Sequence, residues 1–412
     1  MKNFFKTLGP GLLWAGAAIG VSHLVQSTRA GAGFGFELVW LILLANLFKY
    51  PFFEFAPRYA ASTGENLIQG YKRLSKWAVV IYAVITILTM FVLMSAVTAV
   101  TAGIFANVFG SEMSNFWWST IILIIAACIV AVGKYSIIDR SVKFIIVLLA
   151  IATVIAVISA FSGGFNPNPE YAKSFEWGTD IAFLLALAGW MPTAIDVSVW
   201  HSVWTIARKK ETGYAPKLKE SLFDFKIGYI GTAILSLGFL SLGAIVMYGT
   251  CEKFSSSGVV FAGQLINLFT DSLGSWAYFI IAIAALATMV STTLTCLDAY
   301  PRVLSPTTKI LIKKLDSEKN TRKISIFWLI VVTFGTISIF AFFMSNMKDM
   351  VDFATIISFL VAPVLGYLNL KVVTSKHVPK YARPKKVLII LSWAGLIFLT
   401  AFGIYYIIGL II

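Results

Sequence analysis

Charge is scarce in this sequence, and acid is scarcest. Charged residues make up 13% of the chain, with 19 Asp and Glu against 33 Lys and Arg. An average soluble protein carries roughly twice that density, so a water-exposed enzyme is excluded first. Cysteine is rare as well. Cys128, Cys251 and Cys296 show no paired spacing and no metal-ligand motif, which excludes a zinc site or a disulfide framework and leaves all three structural. No nucleophile–base pair or metal cluster stands out, so neither an enzyme nor a resident cofactor is expected. Strict apolar–polar alternation is missing too, and with it a membrane β-barrel. No small-residue cleavage pattern precedes the first polar stripe, so the first segment is read as a retained span.

What remains is apolar: 58% of the residues are hydrophobic. A helix crosses a bilayer with about 20 such residues. Eleven candidate spans are centred near Ala18, Leu47, Phe91, Ile124, Leu149, Met191, Leu237, Ala285, Val332, Leu360 and Leu399. The fold class is therefore an all-α polytopic membrane protein with 11 transmembrane helices.

The formal charge of +14 could suggest nucleic acid, but its distribution argues against that. Basic residues crowd alternate loops: Arg58, Lys72, Arg73 and Lys76; Lys134, Arg140 and Lys143; Arg208 to Lys226; Arg302 to Lys323; Lys371 to Lys386. Intervening loops carry Glu112, Glu170, Glu176, Glu252 and Asp349. This is the positive-inside pattern. It predicts an integral protein of the plasma (inner) membrane with a cytoplasmic N-terminus and an extracytoplasmic C-terminus. The bilayer, not nucleic acid, is the expected partner, and no oligomeric state is implied.

The first span is anomalous. Beyond Gly20 a polar stripe of Ser22, Gln26 and Arg29 steps by four and three, which is one face of a helix. Polar groups at that depth normally face a cavity or a partner. The sixth span repeats the anomaly. Ala188-Gly189-Trp190-Met191-Pro192-Thr193-Ala194-Ile195-Asp196 carries a proline at mid-depth, where it opens the helix and frees carbonyls. Spans one and six begin two five-span halves of opposite orientation, and paired interruptions in inverted repeats point to a transport site. The units are residues 1–161, residues 180–371 and an additional span, 387–412.

Other polar residues have plainer readings. Ser95, Thr98 and Thr101 in span three tighten packing. Lys49 and Glu54 snorkel to the boundary or pair with each other. Ser291, Thr292, Thr293 and Thr295 in span eight either bond back to their own helix or, at Ser291 and Thr292, hold a coupling cation such as Na⁺ beside span one. Pro363 and Asn369 read as packing features.

These residues resemble a known family, the Nramp divalent-metal transporters. Gly9-Pro10-Gly11 and Ala30-Gly31-Ala32-Gly33-Phe34-Gly35 match the borders of its first helix. Thr63-Gly64-Glu65-Asn66-Leu67 is similar to the loop after its second helix, and Ala188-Gly189-Trp190-Met191-Pro192 to its helix-six Ala-x-x-Met-Pro-His. The resemblance implies a LeuT-type inverted 5+5 repeat with broken helices 1 and 6 and a peripheral helix 11. It also implies a metal cation carried by alternating access, with the Ala188 carbonyl and the Met191 sulfur as ligands. The departures fall on the chemistry. The family's Asp-Pro-Gly-Asn becomes Gly20-Val21-Ser22-His23, its helix-six His becomes Thr193, and its helix-three acids become Met94 and Val97. Hard-divalent selectivity and proton coupling rest on those lost residues.

The expected cargo site is Gly20, Ser22, His23, Gln26, Arg29, Ala188, Met191, Thr193 and Asp196. His23, Ala188 and Met191 are the candidate metal donors, suited to a divalent or softer ion, with Asp196 as an added carboxylate. His23 reads equally as a hydrogen-bonding cavity residue. Arg29 either reaches the headgroups or Glu37, or lines the vestibule and favours an anionic or zwitterionic solute. The readings are thus a metal transporter, a Na⁺- or proton-coupled carrier of a small organic solute, and a non-transporting membrane sensor.

Overall fold

Residues 9–133, 135–343 and 346–411 of the computed structural model are described, without the side chains of 135–146 and 343. Lys134 and the side chains of Arg140 and Lys143, of the second basic cluster, fall outside that description. Helix follows helix, and no strand occurs among the described residues.

Pro10 opens α1 (Pro10–Ala18) at a position where a missing N–H costs nothing. The amides of Gly9 and Gly11 donate to the Asp224 carboxylate at 3.3 and 2.7 Å, an anion at the positive end of the helix dipole. The helix stops at Ile19-Gly20. The chain resumes as a widened π-turn, Ser22–Ser27, and then as α2 (Thr28–Phe34), which Gly35 ends at φ 57°. α3 (Val39–Thr63), α4 (Leu67–Leu74), α5 (Lys76–Val108), α6 (Asn115–Val132) and α7 (Tyr135–Ser162) follow. Next come α8 (Ile181–Gly189), an unwound stretch from Trp190 to Asp196, and α9 (Val197–Thr212). The remainder is α10 (Leu218–Met247), α11 (Gly258–Leu273), α12 (Tyr278–Leu311), α13 (Glu318–Phe343), α14 (Met347–Thr374) and α15 (Lys386–Ile411).

Eight described helices, α3, α5, α6, α10, α12, α13, α14 and α15, are long and apolar enough to cross a membrane. The described apolar part of α7 is the shorter Val147–Ser162. The two interrupted segments, α1–α2 and α8–α9, are made of pieces that are individually too short to cross.

Burial sorts these helices into a centre and a rim. Every residue of α12 from Ser291 to Tyr300 is buried, the mark of a helix surrounded on all sides. In α6, α13 and α15 large apolar side chains such as Ile125, Phe334 and Ile397 stay exposed, as lipid-facing surfaces do. The first segment lies against α10 with no room for side chains. A Cβ at Gly11 would stand 2.4 Å from the Asp224 carbonyl oxygen, and one at Gly31 would stand 1.9 Å from that of Leu240. Both ends of the interrupted segment are thereby fixed on one neighbour, with the interruption between them.

Candidate functional site

The first interruption is held by its surroundings. A Cβ on Gly20 would fall 2.8 Å from both the Thr292 methyl and its hydroxyl, so any larger residue here must displace the Thr292 side chain. The Thr292 hydroxyl lies 3.3 Å from the Gly16 oxygen, 3.4 Å from the Ile19 oxygen and 3.0 Å from the Thr288 oxygen. Thr292 thus meets the carbonyls that the interruption frees. Ser291 is buried beside it. Ser22 donates to the Ala18 oxygen at 2.5 Å. His23 is wholly buried, with Nε2 2.9 Å from the Thr232 oxygen of α10. Nδ1 lies 2.7 Å from the Ser22 hydroxyl and 3.1 Å from the Ala18 oxygen. The imidazole therefore braces the interruption against α10.

The second interruption has an internal cation. Lys49 of α3, fully buried, donates to the Ala188 oxygen at 2.6 Å and to the Gly189 oxygen at 2.7 Å. The expected pairing of Lys49 with Glu54 is not formed, because Glu54 instead accepts from Arg58, one helical turn along. Asp196 Oδ1 accepts from the Val197 amide at 3.1 Å at the start of α9. Met191 sulfur faces the Ser27 hydroxyl at 3.9 Å. The three expected metal donors are thus engaged separately: His23 with α10 and its own turn, the Ala188 carbonyl with Lys49, and Met191 with Ser27. Among the described residues no group of three His, Cys, Asp or Glu side chains gathers around one point.

Between the two interruptions lies a cavity of about 20 Å³, room for roughly one water. Ser22, Thr193, Thr292 and Cys296 give it a polar side, and Leu93, Val97, Trp190 and Trp200 an apolar one. Val97 stands here as one of the two apolar replacements in span three. Thr101 of that span reaches Thr293 of α12 hydroxyl to hydroxyl at 2.8 Å, the packing role expected of it.

Beyond the residues that line the cavity, a polar clasp joins the interrupted segment to α14. Arg29 donates to both carboxylate oxygens of Asp352 in α14, at 2.7 and 3.0 Å, and to Gln26 at 2.8 Å. Gln26 in turn donates to Asp352 at 3.0 Å and to Thr355 at 3.3 Å. The Arg29 guanidinium also lies 5.0 Å above the Phe183 ring of α8. Arg29 thus pairs with Asp352 and not with Glu37, whose carboxylate accepts from the Phe175 amide. The stripe is only partly a single face. The π-turn adds a residue to the winding, so Gln26 and Arg29 converge on α14 while Ser22 turns to the cavity.

Elsewhere in the centre, Asp196 Oδ2, the Tyr82 and Tyr300 hydroxyls and the Trp200 indole N–H are buried without a hydrogen bond among the described residues. Both ring nitrogens of His201 are in the same condition. Asn369 accepts from Tyr71 at 2.5 Å and donates to Ser198 at 2.8 Å, a buried tie between α4, α9 and α14. The loop resembling the family pattern is a latch. Arg73 and Tyr59 donate to Glu65, Asn66 and Gln69 form a capping box, and the Leu67 amide donates to Ser202 of α9. The Arg73 guanidinium, chiefly through its hydrogen bonds, holds the Glu65 carboxyl below its ordinary value.

Lys49, Asp352, Thr232, Tyr82 and Tyr300 belong to this centre and were not among the expected site residues. Lys49 and Asp352 leave a signal, an ionisable side chain within an apolar run. The Thr232 contribution is a backbone oxygen, which no residue type announces.

Residues 11–409 match a family model described as natural resistance-associated macrophage protein-like, or Nramp. A protein of Pasteurella multocida is 36% identical over 98% of this chain and 92% of its own length. The divalent metal cation transporter MntH of Listeria welshimeri is 23% identical over 98% of this chain and 90% of its own. Among solved structures, the manganese transporter of Eremococcus coleocola superposes with a TM-score of 0.68 at 15% identity, covering 98% of this chain and 86% of the other. That likeness speaks for the fold.

Proposed function

The chain belongs to the Nramp family, and on that premise we propose that it is a secondary transporter moving a metal cation across the membrane by alternating access. The observation that carries this reading is the pairing of interruptions: both α1–α2 and α8–α9 break beside one small cavity. The relatives named as divalent metal cation transporters supply the cargo class. The proposal includes eleven crossings, inverted repeats over 1–161 and 180–371, the extra span 387–412, and a cytoplasmic N-terminus. The alternation of basic loops supports the orientation.

Within this reading the cargo lies among Gly20, Ser22, Thr193, Met191 and Asp196, and Arg29 with Gln26 governs access from the Asp352 side. The thioether of Met191 suits a softer ion than Mg²⁺. Proton coupling through span three has no carrier at Met94 or Val97.

A specific observation favours a second reading, a small organic anion or zwitterion. A divalent ion leaving water needs anionic compensation. The one carboxylate at the break, Asp196, has an oxygen on the Val197 amide, and Gly20, Ser22 and Thr193 add no negative charge for such a cargo. Na⁺ coupling through Ser291 and Thr292 belongs to this reading, supported by the carbonyl oxygens around the Thr292 hydroxyl.

Uptake into proteoliposomes separates the two. The panel is Mn²⁺, Zn²⁺, Mg²⁺ and amino acids, each with a Na⁺ or pH gradient. Saturable metal uptake lost in Met191→Ala and Asp196→Asn supports the metal reading. Organic uptake abolished by Arg29→Gln supports the second. No substrate-dependent flux at all would leave the sensor.

A further inference from the structure

A helix that stops inside a membrane leaves its last carbonyls short of donors, and an unpaired polar group there is costly. At the end of α8 the Lys49 ammonium donates to the Ala188 and Gly189 oxygens at 2.6 and 2.7 Å, and the Met191 amide adds a longer bond to the Ala188 oxygen at 3.3 Å. These distances are those of charge-assisted N–H···O bonds, at the end of the helix where the macrodipole is negative. Across the gap Asp196 caps the first turn of α9, where the macrodipole is positive. The break thus has a cation on its carbonyl side and an anion on its amide side, both covalently part of the chain.

We propose that the Ala188–Gly189 carbonyl pair is a cation site of the ammonium class, filled from within by Lys49 in place of a diffusible ion. Two hydrogen-bond acceptors converge on one buried point, and a primary ammonium presents three donors to meet them. Metal–oxygen distances would be nearer 2.0–2.6 Å and need more ligands. Lys49 supplies its charge without the cost of immobilising a free ion, and it is wholly buried, so exchange with solvent cations is blocked. Occupation of the carbonyl pair by Lys49 does not depend on the identity of the cargo, and it is read from stability without flux.

Truncation to alanine removes three carbons and the nitrogen, the outline of n-propylammonium. The test is the thermal midpoint of the purified full-length protein in detergent. Lys49→Ala is expected to melt several degrees lower than the parent and to regain most of that loss, saturably, with n-propylammonium chloride. Choline chloride, which has no N–H, and n-propanol, which has no charge, should restore little, and the parent should not respond. A folded, monodisperse Lys49→Ala protein that responds to propylammonium no more than to choline overturns the proposal. So does a parent that responds as strongly as the variant. If Lys49→Ala does not purify, Lys49→Met keeps the length and apolar stem without the donor. A Lys49→Met protein as stable as the parent would also overturn the proposal, since the carbonyls would then need no cation.

Discussion

Neutralising Asp352 is expected to open the cavity from the Arg29 side. The carboxylate accepts three bonds, two from Arg29 at 2.7 and 3.0 Å and one from Gln26 at 3.0 Å. Arg29 keeps 10% of its side-chain surface and Asp352 24%, so the pair is neither a surface contact nor fully buried. Exposed pairs contribute about 0–1 kcal/mol, and breaking a buried one costs about 3–5 kcal/mol. Asp352→Asn preserves the shape and removes the charge, and an intermediate loss of about 2 kcal/mol follows. At 1.4 kcal/mol per tenfold, the ratio of open to closed rises roughly 30-fold. Cys296 lines the cavity and is the natural reporter once the exposed Cys128 and Cys251 are changed to serine. A membrane-impermeant thiol reagent on that side should label Cys296 at least about tenfold faster in Asp352→Asn than in the serine background. Arg29→Lys, which keeps the charge but loses the two-pronged geometry, should fall between. A labelling rate within about twofold of the background in Asp352→Asn would refute the clasp, because the estimated loss predicts a larger change.

His23→Ala should lower the thermal midpoint by several degrees, since it vacates a buried volume and removes the imidazole's bond to the Thr232 oxygen, a loss of about 2–4 kcal/mol. Equal stability of variant and parent would show that the imidazole braces nothing. Glu65 predicts an acid limb. Its folded pKa lies below the ordinary 4.5, so its contribution to stability is present above that value and lost as pH falls through the folded value. Melting curves of Glu65→Gln should therefore start lower near neutral pH and decline less steeply below about pH 5 than those of the parent. Parallel declines would remove Glu65 from the account.

The helical plan was legible because membrane spans announce themselves by length and apolarity, and both interruptions were legible from Gly20 and Pro192. Membrane burial also made Arg29 and Asp196 conspicuous. The partners were not legible. His23 looked like a ligand because an imidazole in a helix break resembles a donor, whereas its nitrogens are spent on Thr232, Ala18 and Ser22. The Ala188 carbonyl looked available because residue type says nothing about a lysine on another helix. The polar stripe was read at α-helical spacing, and the π-turn at Ser22–Ser27 redirected Ser22 away from Gln26 and Arg29. Contacts between distant segments thus decided the chemistry, while local pattern decided the scaffold.

Counterflow is the most direct test of alternating access. Proteoliposomes are loaded with the unlabelled cargo identified by the uptake panel and diluted into a trace of labelled cargo. A carrier that exposes one site to each side in turn gives a transient overshoot of label inside, and the account predicts that overshoot. It also predicts its loss in Gly20→Val, whose side chain would occupy the space held by Thr292. Label that only equilibrates, with no overshoot, would contradict alternating access.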